Sequence, residues 1–325
     1  MTLDSTRDPP TVDDLDRALV SRLREDGRAT NRGLARSLDV TERTVATRLR
    51  RLSDAGLVRV VAVTDMEAFG LTALAFVLIR VAGRRADAVA EDLVGLDEAI
   101  GLATVTGSED LVAIVLCPSH ARLADVLAEG IAVIDGVTSL HCELAAKVLR
   151  FDSQYGRITP QPRSGSSLLR AARSPHDDLD IEIVLALQAD SRASNRSIAA
   201  SLDVSEATVR ARVSRLVDNG TLRIQAVCDI ESFGITAFGF LGVRAEPGQV
   251  EPVGRSLLRF DELGLVARSI GRYDFIAILA TTSRERALRT VQREIAGLEA
   301  VATVDFHEGS TAVKHEFTWA NFGTG

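Results

Sequence analysis

The sequence predicts an α+β chain in which two small helical modules alternate with two sheet modules of βαββαβ order, and three observations predict it. Residues 15–70 align without a gap on residues 179–234, with about half of the positions identical. Gly107, Asp110 and Ala113 fall on Gly271, Asp274 and Ala277 at the same offset, so the segment after each copy repeats as well. Within each half a helical spacing of apolar residues gives way to short alternating runs. Nearly all of the 325 residues are therefore two tandem halves of about 150 residues, each of two modules.

In the first copy, Val12 to Asp26 carries Leu15, Leu19 and Leu23 at helical spacing, and Gly27 stops the helix. Thr30 is a good N-cap for a second helix bearing Leu34, Ala35 and Leu38, and Asp39-Val40 forms a tight connection. Thr41 caps a third helix, with Val45, Leu49 and Leu52 inward, that ends at Gly56. Two short helices joined this way, the second amphipathic and basic, give a helix-turn-helix pattern.

At 100° per residue, a buried side of Val45, Leu49 and Leu52 turns Arg43, Thr47 and Arg50 directly outward, with Thr44, Ala46 and Arg51 on the flanks. Arginine can take guanine O6 and N7 bidentately, threonine can meet a base edge, and arginines on the rim grip phosphates. The second copy keeps the scaffold (Val209, Val213, Leu216) and the rim (Thr208, Arg212, Arg215). It changes the outward set to Ala207, Ala211 and Ser214 and places Arg210 where the first has Ala46. The first reader is therefore expected to contribute more affinity. Charge agrees: Thr30–Arg59 is +4 and Ser194–Arg223 is +2, within a chain of net charge −7.

Leu57–Val63 and Thr221–Val227 alternate like β-ribbons, suiting a wing or hinge strand on which Arg59 and Arg223 touch DNA backbone. The first sheet module reads β (Thr72–Arg80), α (Ala86–Leu96), β (Gly101–Val105), β (Leu111–Cys117), α (His120–Gly130) and β (Val137–Ala145). The second reads Thr236–Arg244, Val250–Phe260, Leu265–Ile270, Phe275–Thr281, Glu285–Ala296 and Val301–His307. This order implies a ferredoxin-like antiparallel sheet with helices on one face and the other face left for a second sheet. The expected boundaries are 11–65 and 177–229 for winged helix-turn-helix domains, 70–151 and 234–320 for ferredoxin-like domains, and 152–176 for a Ser-, Pro- and Arg-rich linker in which Ser167–Arg173 could form a short helix.

Composition excludes several classes. With 46% hydrophobic and 26% charged residues the chain is globular. No stretch approaches a membrane span, and the acidic start lacks an apolar signal core, so a cytoplasmic protein without membrane association is expected. Cys117, Cys142 and Cys228 form no disulfide or zinc spacing and read as buried apolar fillers. The five histidines are scattered, no catalytic constellation is visible, and neither cofactor nor metal is expected.

The Leu-Asp starts (Leu15-Asp16, Leu179-Asp180), the Asp26–Asn31 and Asp190–Asn195 stretches, the Arg-Leu-x-x-x-Gly helix ends (Arg51–Gly56, Arg215–Gly220) and the Gly-x-x-Asp turns resemble the Lrp/AsnC family of feast/famine transcriptional regulators. The resemblance covers almost the whole chain, twice. It implies binding to double-stranded DNA, sheet domains packed back to back, homo-oligomers formed through them, and a small effector, often an amino acid, near the Gly-x-x-Asp turn. The effector candidates it implies are Thr106, Gly107, Ser108, Glu109 and Asp110, and Ser269, Gly271, Arg272, Tyr273 and Asp274. The family usually has an aromatic before the Asp, which Tyr273 supplies and Glu109 does not.

Chemistry suits a zwitterion at the second turn: amides around Gly271 for a carboxylate, Asp274 for an ammonium group, Arg272 for an anion. The bland alternative is a tight hairpin tied down by its Asp. The reading is thus a non-enzymatic regulator, one chain standing for a dimer. Two alternatives remain. Some tetrapyrrole-processing decarboxylases of the sirohaem route are similar in architecture, but their His-Asn-Tyr-type and Asn-Leu-Trp-Phe-type runs are missing here. A ligand-binding or assembly protein without DNA binding is the other.

Overall fold

The computed structural model describes residues 12–151, 155–156, 165–172, 174–229 and 231–320. The first half runs α1 (Asp14–Glu25), α2 (Asn31–Ser37), α3 (Glu42–Asp54), β1 (Val58–Asp65), β2 (Ala73–Val81), α4 (Ala86–Val94), β3 (Ala99–Thr106), β4 (Leu111–Cys117), α5 (His120–Asp125), β5 (Val137–Phe151) and β6 (Tyr155–Gly156). After α6 (Gly165–Ala171) the order repeats as α7 (Asp178–Ala189), α8 (Asn195–Leu202), α9 (Glu206–Asp218), β7 (Leu222–Asp229), β8 (Ala237–Ala245), α10 (Val250–Leu257), β9 (Leu263–Ile270), β10 (Phe275–Thr281), α11 (Arg284–Arg289), β11 (Val301–His315) and β12 (Trp319–Ala320). The helices expected at His120–Gly130 and Glu285–Ala296 are each an α-turn that widens into a π-helical stretch, Val126–Ile131 and Thr290–Ile295.

Capping chemistry sets the reader helices. Asp13 accepts the Asp16 amide while Asp16 accepts the Asp13 amide, a reciprocal box that starts α1. Thr30 and Thr41 accept the amides of Gly33 and Thr44 and start α2 and α3. Asp39 makes the connection at φ 53, a left-handed conformation that Asp tolerates. Leu19, Leu23, Leu34, Val45 and Leu52 fill the resulting core.

The ribbons do not form separate wings. β1 pairs antiparallel with β7, from Val58 opposite Cys228 to Thr64 opposite Leu222, so one two-stranded ribbon belongs to both readers. Each flank takes a short parallel strand: β12 beside β1 and β6 beside β7. β6 lies inside the segment expected to be only a linker, and its position repeats that of β12. Gly27 donates its amide to the Ile224 carbonyl at 2.8 Å, and a Cβ there would stand 2.6 Å from that oxygen, so this backbone contact requires glycine. Its repeat counterpart, Ser191, reaches the Val60 carbonyl through its hydroxyl at 2.6 Å.

The two ferredoxin-like sheets close into one barrel in the order β10-β8-β11-β3-β4-β2-β5-β9. The sheets face each other across a shared core, as the back-to-back expectation has it, and in addition both pairs of edges are joined, which was not expected. The joint explains why β5 and β11 outrun their expected ends at Ala145 and His307: the added residues pair with β9 and β3 and leave no open edge in the barrel. Along β2, Leu74, Phe76 and Leu78 face the interior with Phe240, Leu265 and Ile276, while Ala73, Ala75, Val77 and Ile79 face Val89, Ala90 and Leu93 of α4. Burial on both faces accounts for the near-continuous apolar run. Phe76 and Phe240, counterparts in the repeat, meet edge to face at 6.2 Å across the barrel.

Basic side chains on the long strands cap helices of the opposite half. Arg150 donates to the carbonyls of Leu258, Phe260 and Leu263 at 2.5 to 3.1 Å, and Lys314 to those of Val94 and Leu96 at 3.1 and 2.9 Å.

Candidate nucleic-acid interface and interdomain loops

Arg43, Thr47 and Arg50 stand exposed on α3, as the angular reading expects. Among the described residues the two arginines have no side-chain partner, so their donors are open to a ligand. The flank is different. Arg48 and Arg51 both reach back to Asp16, a fully buried carboxylate on α1: Arg48 lies 2.9 Å from it and 2.6 Å from Asp13, and Arg51 pairs with the other Asp16 oxygen. The Arg48 guanidinium holds the Asp13 carboxyl down at about 2.

The second copy repeats the network. Arg212 meets Asp177 and Asp180, and Arg215 meets Asp180 at 2.5 Å. Arg51, Arg212 and Arg215, expected on the phosphate-gripping rim, are thus tied to the reader's own first helix. A buried Asp at the Leu-Asp start, two helices away from an Arg-x-x-Arg spacing, was the signal for this in the sequence. Thr44 and Thr208 bond to the capping hydroxyls of Thr41 and Ser205. Arg210 is exposed and 3.8 Å from Glu206. Arg59 is half-buried on β1, and Arg223 is exposed on β7. Across the readers, Arg28 donates to the Ala193 carbonyl at 3.0 Å.

The two Gly-x-x-Asp turns lie where the halves join. Each Asp ties its turn down: Asp110 accepts the Val81 amide at 2.8 Å and Asp274 the Ala245 amide at 2.9 Å, as the hairpin reading has it. At the second turn a carboxylate does sit on the loop amides, but it is internal. Glu143, 1% exposed on β5, accepts from the Arg272 amide at 2.8 Å, the Tyr273 amide at 3.2 Å and the Ser269 hydroxyl at 3.1 Å. A Cβ at Gly271 would overlap that carboxylate. Tyr273 donates its hydroxyl to Asp305 at 2.8 Å, and burial pushes it up to about 12.

At the first turn the repeat counterpart of Glu143 is His307 on β11. It is 2% exposed, both ring nitrogens lack a hydrogen-bond partner among the described residues, and burial holds the imidazole below its ordinary value. Thr106, Gly107 and Ser108 are exposed in front of it. Glu109, buried where the other turn has Tyr273, lies 3.7 Å from Arg80 and 3.5 Å from Arg272, which links the turns. Cys117 and Cys228 are buried and Cys142 half-buried, and burial pushes the Cys117 thiol up to about 12, in keeping with fillers. No helix among the described residues is long and apolar enough to cross a membrane.

Comparison with known proteins agrees with both module types. The winged helix-turn-helix DNA-binding family matches residues 12–59 and again 176–223, and the Lrp/AsnC ligand binding domain matches residues 74–154. The HTH-type transcriptional regulator FL11 of Pyrococcus furiosus is 30% identical over 138 residues, 42% of this chain and 91% of its own length. The HTH-type transcriptional regulator Ptr1 of Methanocaldococcus jannaschii is 32% identical over 103 residues, 31% of this chain and 70% of its own. The crystal structure of the siroheme decarboxylase NirDL shares the fold across 92% of both chains, with TM-score 0.61 and 16% identity. Two helix-turn-helix matches, the sheet-domain match and the full-length regulator relatives make this chain a tandem-duplicated member of the Lrp/AsnC family.

Proposed function

We propose that the chain is a sequence-specific DNA-binding transcriptional regulator, not an enzyme, in which one polypeptide presents the two readers of a dimer. The observation that carries this is the β1–β7 ribbon: both recognition helices are anchored to one shared pair of strands, so their spacing is built into the fold. Arg43, Thr47 and Arg50 read base edges in the major groove, with Thr44 beside them, while Arg51, paired with Asp16, holds the helix in place. Arg59 and Arg223 touch backbone, Arg210 and Thr208 serve the second reader, and Arg212 and Arg215 hold its recognition helix through Asp177 and Asp180. Two half-sites gripped through one molecule gain by effective concentration only when their spacing fits.

A small effector, an amino acid in the simplest case, acts at the turns between the halves, where Thr106–Asp110 and Ser269–Asp274 lie, and changes how the readers are held. The edges of the two barrel sheets are used within the chain, so further association would employ other surfaces, the outer helical faces among them. Selection of genomic fragments by the purified protein, with and without pooled amino acids and across a salt series, tests the reading. Enrichment of one motif with a steep salt dependence supports it, and binding that is equal on all fragments overturns it. The whole-chain likeness to a decarboxylase motivates the competing enzyme reading; conversion of an iron tetrapyrrole, followed by absorbance, would favour that one.

A further inference from the structure

We propose that Glu143 is a built-in carboxylate ligand that permanently fills the second Gly-x-x-Asp turn, and that the chain keeps one site for a small carboxylate, at the first turn in front of His307. The proposal rests on the effector reading for the ligand and on the hydrogen bonding of the turns for the asymmetry.

The two turns are the same structure with different occupants. At the second, both carboxylate oxygens of Glu143 are engaged by the Arg272 and Tyr273 amides and the Ser269 hydroxyl. That is the donor set a free carboxylate would need, and the side chain supplying it comes from the other half of the chain. At the first, the corresponding amides of Ser108 and Glu109 donate to no described residue. The group in the place of Glu143 is an imidazole that can donate one N–H and finds no acceptor among the described residues. A Cβ on Gly107 would lie 3.2 Å from His307 Nδ1, so the ring is set against the loop.

Because both ring nitrogens are buried against the loop, a carboxylate entering past Thr106 and Ser108 would swing the imidazole aside and then meet two amide donors placed like those that hold Glu143, with the ring N–H beside it. Its other end would lie among Glu109, Arg80 and Arg272, a carboxylate and two guanidiniums, which suits a ligand with an ammonium group as well as a carboxylate. An extra negative side chain at the second turn excludes such a ligand twice over, by volume and by charge.

Reciprocal substitutions test this. Amide exchange comes first because it needs no ligand: in the wild type the Arg272 and Tyr273 amides should be protected and those of Ser108 and Glu109 should not. Glu143→Gln should lower the protection at Arg272 and Tyr273 by about tenfold, and His307→Glu should raise it at Ser108 and Glu109 by a similar factor. Equal exchange at the two turns in the wild type overturns the internal-ligand assignment. Equilibrium dialysis with each of the twenty L-amino acids should then give one molecule bound per wild-type chain, two for Glu143→Ala, which empties the second turn, and none for His307→Glu. Two bound per wild-type chain, or unaltered binding in His307→Glu, overturns the single open site; binding of none by any variant, with the exchange pattern intact, removes the effector reading and leaves Glu143 as a purely structural latch.

Discussion

Replacing Asp16 with asparagine separates arginines that hold the first reader together from those that face DNA. The Asp16 carboxylate is fully buried on α1 and accepts from Arg48 at 2.9 Å, from Arg51, and from the Asp13 amide at 3.1 Å. Asparagine keeps the shape and can keep the amide contact, but it has one acceptor oxygen and no charge. Two charge-assisted hydrogen bonds at about 1.5–3 kcal/mol each set a range of about 3–6 kcal/mol. The Arg51 side chain is 40% exposed and that of Arg48 27%, and Arg48 retains Asp13, so water and Asp13 recover part of the loss. The lower end, about 3 kcal/mol, is the expected destabilisation. At an m-value of about 2 kcal/mol/M, the urea midpoint of the helical signal should fall by about 1.5 M. Arg43→Ala/Arg50→Ala should leave that midpoint in place and weaken operator binding by about a hundredfold or more. The division of labour is refuted if Asp16→Asn moves the midpoint by less than about 0.3 M, or if the double variant unfolds as early as Asp16→Asn does.

Arg210→Ala in the second reader should weaken binding less than Arg43→Ala/Arg50→Ala when each is measured on split half-sites, and equal losses would contradict the asymmetry. Phe76→Ala opens a cavity opposite Phe240 in the barrel and should destabilise the chain by about 3–5 kcal/mol, read from urea unfolding. Burial holds the His315 imidazole down at about 4. Between that value and the unfolded 6.5 the unfolded chain binds the extra proton, so stability is complete above about pH 6.5 and falls by up to about 3 kcal/mol as pH drops to 4. His315→Phe, which copies Phe151 at the equivalent position, should flatten urea midpoints across that window; an unchanged slope would exclude His315 as its source. Asp13 acts lower, its contribution being lost only as pH falls from 3.8 towards 2. Gly27→Ala should push the α1–α2 turn off the Ile224 carbonyl and reduce affinity for a two-half-site operator more than for one half-site, measured by gel shift.

The reader helices were legible because capping side chains and apolar spacing are local: Thr30, Thr41 and the Leu19–Leu23 face act within a few residues of one another, whereas the Asp13 cap of α1 showed only in the structure. The outward set of α3 followed from helical angle alone. The ion pairs of Arg48 and Arg51 did not, because their partner is on another helix and an arginine on a flank reads the same whether it meets phosphate or a buried aspartate. Repeat order predicted both βαββαβ modules, but not that their edges fuse. That depends on how far β5 and β11 extend, and strand ends carry little local signal. Glu143 was invisible for the same reason. Its chemistry arises only when β5 is laid beside β9, and the pairing of Leu144 with Ile270 is a contact between halves.

Fusion changes what a substitution can do. In a dimer of identical chains every replacement appears twice, so a glutamate at position 143 would fill both turns and a changed recognition helix would change both readers. Here the residues that hold the architecture are matched pairs: Phe76 with Phe240, Asp16 with Asp180, Arg48 with Arg212, and Asp110 with Asp274 on the same backbone donors. Several residues proposed to serve ligand or DNA are unmatched: Glu143 against His307, Glu109 against Tyr273, and Arg43 and Arg50 against Ala207 and Ser214. Symmetry therefore persists where packing requires both members of a pair. It is lost where one working site is enough, which is the pattern expected if one turn senses and the other holds the halves together.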